Sequence, residues 1–311
     1  MKKLFPILTI VVLWPFAASW AQLAAPNEAG VRMGHMHMVV RNVEAEKKIW
    51  VGLGGTAIKV DGTDVVKFPG LLVFISQGTP IPAGIGGPGL CRYQVTEGQW
   101  TSLPCDATDE GSVVSQVLLD HWAGHEMLSK LEGQGVRVLR NNPGQPDNGV
   151  VWTTEGKRID NNQNPRLTVP VEVIQLQYDM PRYVRRAALE WYVQFFGLKA
   201  VNPGGQPGDR TSFGDGNAIP RPRAVIPGMR QGIVFGKTHG SPYAPQPTKG
   251  RTLDHIGFEV TNLEAFCKKL EAMGILFEAQ YSKERHGSFA SAELTDPWGT
   301  SIELTEGLDK F

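Results

Sequence analysis

Leu253-Asp254-His255-Ile256-Gly257-Phe258-Glu259-Val260 reads as a strand, and the elements on its carboxyl side decide the fold. An amphipathic helix pattern runs through Leu263, Phe266, Cys267 and Leu270, then Gly274-Ile275-Leu276-Phe277 starts a second extended run. The unit closes on a turn and a strand, Asp296-Pro297-Trp298-Gly299-Thr300-Ser301-Ile302-Glu303-Leu304.

Upstream, Val113 to Leu119 is again a strand, with a helix carrying Leu128 and Leu131, then Gly135-Val136-Arg137-Val138 and the closing run Glu155 to Asp160. Two further strand-helix segments have a different character. Gly34-His35-Met36-His37-Met38-Val39-Val40 leads into a helix through Lys47, Ile49 and Trp50 that stops at Gly54-Gly55. Val171 to Tyr178 leads into Val184 to Phe196, which stops at Gly197. The two kinds alternate along the chain. Matching positions 35 and 175, 116 and 255, and 160 and 303 are offset by 140, 139 and 143 residues. Such internal repetition is a fold-level signal, and it divides the chain near Leu167-Thr168.

The 311 residues, 41% hydrophobic and 20% charged, suffice for two domains with cores of their own. Lys2 and Lys3 precede an apolar run from Leu4 to Ala18 and the small-residue site Ser19-Trp20-Ala21, so residues 1–21 read as a secretory signal peptide. No stable membrane anchor is expected, and the mature chain is placed in the periplasm or outside the cell. Residues 22–30 form a linker, 31–167 the first domain with an insertion at 78–111, and 168–308 the second domain. Removing Lys2 and Lys3 from 31 basic and 31 acidic side chains leaves a formal charge of −2, which argues against a nucleic-acid partner. An oxidising compartment would let Cys91 and Cys105 pair, while Cys267 reads as a small buried thiol within its helix. The chain has no Gly-rich phosphate loop, Ser-His-Asp order or CxxC pair.

The strand at 253–260, with Asp296-Pro297-Trp298-Gly299 and Ile302-Glu303-Leu304, resembles the vicinal oxygen chelate superfamily of glyoxalases, bleomycin-resistance proteins and extradiol dioxygenases. The resemblance implies an α+β fold of two tandem domains. Each would be a pair of βαβββ modules forming a curved mixed sheet around a cleft, with metal ligands on first and last strands. Carried over residue by residue, it implies a second-domain site of Gln175, His255 and Glu303 and a first-domain site of His35, Gln116 and Asp160. Imidazole and carboxylate suit a divalent cation such as iron, manganese, zinc or nickel and leave positions open for a small oxygen-chelating substrate. The strand period puts His37 on the face of His35, and Gln177 on that of Gln175. Tyr281, His286 and Glu293 fall on or beside strands expected to flank Glu303, which makes them candidates for acid-base work. The competing reading is a metal-free, non-catalytic protein that binds a small organic molecule in the cleft.

Overall fold

The computed structural model describes residues 23–81, 89–96, 99–105, 112–140, 146–201, 221–236 and 245–311, with the backbone alone for the two segments between 89 and 105. The expected signal peptide lies outside these residues.

Four βαβββ modules succeed one another. The first comprises β1 (Val31–Val40), α1 (Val43–Gly52), β2 (Thr56–Val60), β3 (Thr63–Phe68) and β4 (Leu71–Gln77). A hairpin, β5 (Gly89–Thr96) and β6 (Gln99–Cys105), occupies the expected insertion. Its register sets Cys91 opposite Leu103 and Cys105 opposite Gly89; the expected disulfide concerns side chains outside the described ones. The second module holds β7 (Val114–His121), α2 (Gly124–Gly133), β8 (Val138–Arg140), β9 (Gly149–Trp152) and β10 (Arg158–Gln163). The third has β11 (Val171–Asp179), α3 (Arg185–Phe196), β12 (Lys199–Val201), β13 (Arg223–Ile226) and β14 (Met229–Gly236). The fourth has β15 (Leu253–Val260), α4 (Leu263–Ala272), β16 (Phe277–Ser282), β17 (Ala290–Thr295) and β18 (Ser301–Glu306).

The helices start and stop where local chemistry directs. Asn42 and Asn262 cap α1 and α4 by accepting from the backbone N–H groups of Ala45 and Ala265. Gly197, at φ 65°, ends α3 in the left-handed conformation that glycine adopts without strain. Leu263, Phe266, Cys267 and Leu270 are the buried stripe of α4, and burial pushes the Cys267 thiol up to about 12, leaving it inert.

The strands form two eight-stranded mixed sheets, in the orders β16-β17-β18-β15-β1-β4-β3-β2 and β12-β13-β14-β11-β7-β10-β9-β8. The α+β class and the paired modules are as expected, but the partners are not neighbours in the repeat. The first module shares a sheet with the fourth, and the second with the third. Division near residue 167 thus separates the repeat copies, not the sheets. Connection length accounts for this: only residues 164–170 separate β10 from β11, so modules two and three meet through antiparallel β7 and β11. Modules one and four are left to pair through β1 and β15.

One core joins the sheets. Met36 and Met38 of β1, Ile256 and Phe258 of β15, Leu176 and Tyr178 of β11, and Val117 and Leu119 of β7 all belong to it. Phe196 of α3 lies 4.8 Å from Phe258 and 6.3 Å from Phe266 of α4, ring to ring. Two buried polar chains reinforce the joint. Glu46 of α1 accepts from Trp50 Nε1 and from the backbone and hydroxyl of Thr154. The Tyr192 hydroxyl donates to Asp296 and contacts that of Tyr178. With one face of each sheet given to this core, the opposite faces point away from it. Among the described residues no helix is long and apolar enough to cross a membrane.

His121, at the end of β7, is buried with its Nε2 2.9 Å from Asn161 Oδ1, and burial pulls its pKa down to about 4. The unfolded chain takes up that proton below pH 6.5, so this contribution is whole above 6.5 and lost as pH falls to about 4. A loss of about 3 kcal/mol is expected over that window, read by urea unfolding at pH 7 and pH 4. His121→Gln should flatten the profile by that amount; an unchanged profile would assign the acid sensitivity to other groups.

Candidate metal centre

β1 and β15 run side by side at the centre of the first sheet, with His37 opposite His255 and His35 opposite Gly257; Gly257 in turn lies opposite Glu303 of β18. His35, Gly257 and Glu303 therefore form a row across three strands, on the face turned from the shared core. A Cβ on Gly257 would sit 1.9 Å from His35 Cε1 and 2.0 Å from Nδ1, so the imidazole lies across the backbone where a side chain would stand. That bare position lets His35 Nε2 reach within 3.0 Å of Glu303 Oε2. His255 Nε2 lies 3.4 Å from the same oxygen, out of hydrogen-bonding alignment and without another partner. The ligand atoms of His35, His255 and Glu303 lie within 4.8 Å of one another.

Neighbours fix each group. Asp254 Oδ1 is 2.7 Å from His255 Nδ1, which holds an N–H there and turns Nε2 towards Glu303. His286 Nε2 is 2.8 Å from Glu303 Oε1, so one carboxylate oxygen is tied back and the other faces both imidazoles. His37 Nε2 meets Ser76 Oγ at 2.8 Å, and its ring stands edge-on to His255 with centroids 4.8 Å apart. Phe74 stands edge-on to His35 at 5.2 Å.

The electrostatics are set by burial against pairing. Burial lowers the pKa of His35 and takes His37 down to about 3, so both are neutral. Burial also works against charge on His255, but Asp254 and Glu303 outweigh it and push its pKa up to about 9. Burial alone would raise Glu303; pairing with His255, His286 and His35 instead holds it well below the usual carboxylate range. A divalent cation held by His35, His255 and Glu303 would take the place of the proton on His255 Nε2, and would give that unpartnered nitrogen a partner.

The sets expected from the repeat are thus resorted. His35 joins His255 and Glu303, while Gln175 lies in the other sheet with Gln116 and Asp160. There Gln175 is opposite Leu118, and Leu118 opposite Asp160, the same row as His35, Gly257 and Glu303. Leu118 fills the position that Gly257 leaves bare. Gln175 Nε2 donates instead to Gln177 Oε1 at 3.1 Å, and Arg158 holds Asp160 Oδ1 at 2.8 Å and 2.9 Å. Gln116, in the place of His255, has a buried amide oxygen without a partner. The second row lacks both imidazoles and a free carboxylate.

Of the acid-base candidates, His286 touches Glu303. Glu293 lies opposite Glu303 on β17 but is engaged by Lys249 at 2.7 Å and Arg285 at 3.5 Å. Tyr281 is corrected: like Phe277, four residues earlier on the same side of β16, it packs against the shared core. Asp254 escaped the sequence reading because strand alternation assigns adjacent residues to opposite faces, whereas its side chain bends back to its neighbour.

Residues 185–304 match the model of the Glyoxalase/Bleomycin resistance protein/Dioxygenase superfamily. Glyoxalase I from Zea mays superposes with a TM-score of 0.58 at 12% identity, covering 90% of this chain and 94% of that one. A putative dioxygenase from Bacillus subtilis superposes with a TM-score of 0.53 at 14% identity, covering 92% and 86%. These likenesses establish the shared fold. No curated protein matches the sequence significantly.

Proposed function

We propose that the chain, whose residues 185–304 match the model of the Glyoxalase/Bleomycin resistance protein/Dioxygenase superfamily, is a divalent-metal-dependent enzyme acting on a small organic substrate that chelates through two oxygens. The observation that carries this reading is the convergence of His35 Nε2, His255 Nε2 and Glu303 Oε2 in one buried cluster. Two imidazoles and one carboxylate form a donor set for iron, manganese, zinc or nickel, and a three-residue face leaves sites for substrate. When bound, the ion supplies Lewis-acid chemistry or, as iron, dioxygen chemistry.

The chain's own groups do the rest. Asp254 fixes the tautomer of His255, His286 ties back Oε1 of Glu303, and Gly257 makes room for His35. His286 is one-third exposed and is the group best placed to pass a proton between the site and solvent. His37 and Ser76 add a hydrogen-bonding pair on the same face.

The test is to purify the mature protein without chelator or metal-binding tag, measure its metal, and titrate acetohydroxamate, a bidentate oxygen ligand. About one equivalent of divalent metal is expected, with hydroxamate binding only to the loaded form. No uptake after reconstitution would replace this reading with that of a metal-free binding protein. The lysines and apolar run of residues 1–21 further support export to the periplasm or beyond. Amino-terminal sequencing of secreted material should then begin at Gln22, and retention of Met1 in the cytoplasm would oppose export.

A further inference from the structure

The face that carries the histidines is divided into two unlike halves. Towards the first module it is apolar, and that half is covered by the chain itself. Val65, Leu72 and Phe74 lie in a cluster with Phe289 and Leu308 that is separate from the shared core. Leu308 is 1% exposed and Phe289 6%, so the half-cup is filled rather than open. The covering segment is fastened at several points. Glu259 Oε1 accepts from the backbone N–H groups of Gly307 and Leu308 at 2.8 Å and 3.0 Å, Arg32 reaches Asp309 at 3.2 Å, and Lys310 donates to Ser288 O. Its inner edge is the wall of the metal centre. Phe289 stacks on His286 with centroids 4.5 Å apart and lies 6.2 Å from Phe74, whose edge meets His35. Towards the fourth module, beyond Glu303, the same face carries Ser291 and Glu293, with Lys249 and Arg285 paired to the latter.

We infer that Phe74, Phe289 and Leu308 determine specificity by sealing the apolar half of the cup. A chelating substrate can then extend only over β17 and β16, and must be compact with a hydrogen-bonding outer end. This inference rests on the metal-centre reading. An apolar wall discriminates against bulk because a ring directed into it has nowhere to go without displacing packed side chains.

The probes are acetohydroxamate and naphthohydroxamate, titrated into the cobalt-loaded full chain. The wild type should bind the small probe about tenfold or more tightly over the large one. Leu308→Gly should raise naphthohydroxamate affinity about tenfold and leave acetohydroxamate unchanged; Phe289→Ala should raise it in the same direction should the glycine variant fail to fold. Equal wild-type affinities, or a variant that shifts both probes together, would overturn the inference. A chain that takes up no cobalt defeats the metal reading instead, and the seal is then read without metal by anilinonaphthalenesulfonate fluorescence. Dye bound by folded Leu308→Gly and not by the wild type supports the seal, and equal dye binding refutes it.

Discussion

His35→Ala and Glu303→Ala each abolish stoichiometric metal binding, while Gln175→Ala leaves it intact. Each alanine removes one of three donors, and loss of a direct ligand should weaken affinity by more than the roughly 100-fold typical of losing an outer partner. Gln175 lies in the other sheet and bonds Gln177, so its removal reaches none of the three ligand atoms. Isothermal titration with cobalt, supported by elemental analysis, separates the two sheet assignments. Retained binding in His35→Ala together with loss in Gln175→Ala would restore the grouping by sequence repeat and refute the three-residue site in the first sheet.

The second large effect is expected at a residue with no side chain. Gly257→Ala sets a methyl carbon 1.9 Å from the His35 ring, a separation no non-bonded pair tolerates, so the imidazole must leave its place over β15. Metal binding should be lost as completely as in His35→Ala. Stability should also fall by about 1–3 kcal/mol, the usual cost of overpacking a closed site. Removing the ring removes the conflict: in the His35→Ala background the second substitution should cost little. Such a coupling measured by denaturant unfolding of the four-variant cycle assigns the effect to this one contact. An additive cycle would mean that Gly257 serves the backbone of β15 rather than the histidine. The second sheet offers a natural comparison, because Leu118 stands at the matching position and Gln175 there turns sideways to Gln177.

Much of the fold was legible because it is written locally. Strands and helices of the four modules arise from period, capping asparagines and terminal glycines, all of which act within a few residues. The polar positions of the first and last strands were legible too: His35 and Glu303 fall in one row and Gln175 and Asp160 in its counterpart, each row across a first strand and a last strand. Tyr281 was misplaced because alternation within β16 does not say which of its two sides meets the core, where Phe277 and Tyr281 both pack. Phe74, Phe289 and Leu308 carried no signal beyond hydrophobicity, since an apolar residue reads alike whether it fills the core or walls a site.

Local sequence, then, specifies the repeated unit and the supply of donors: two imidazoles and a carboxylate at positions where strands present them, and two amides and an aspartate at the equivalent positions elsewhere. Which donors meet is settled in three dimensions. His35 and Gln175 occupy the same place in the repeat, and nothing local distinguishes them. The choice between them is made where the short connection at 164–170 brings β7 against β11, leaving β1 to lie beside β15. Pairing across more than 200 residues is a property of chain connection and packing, and no window of sequence contains it.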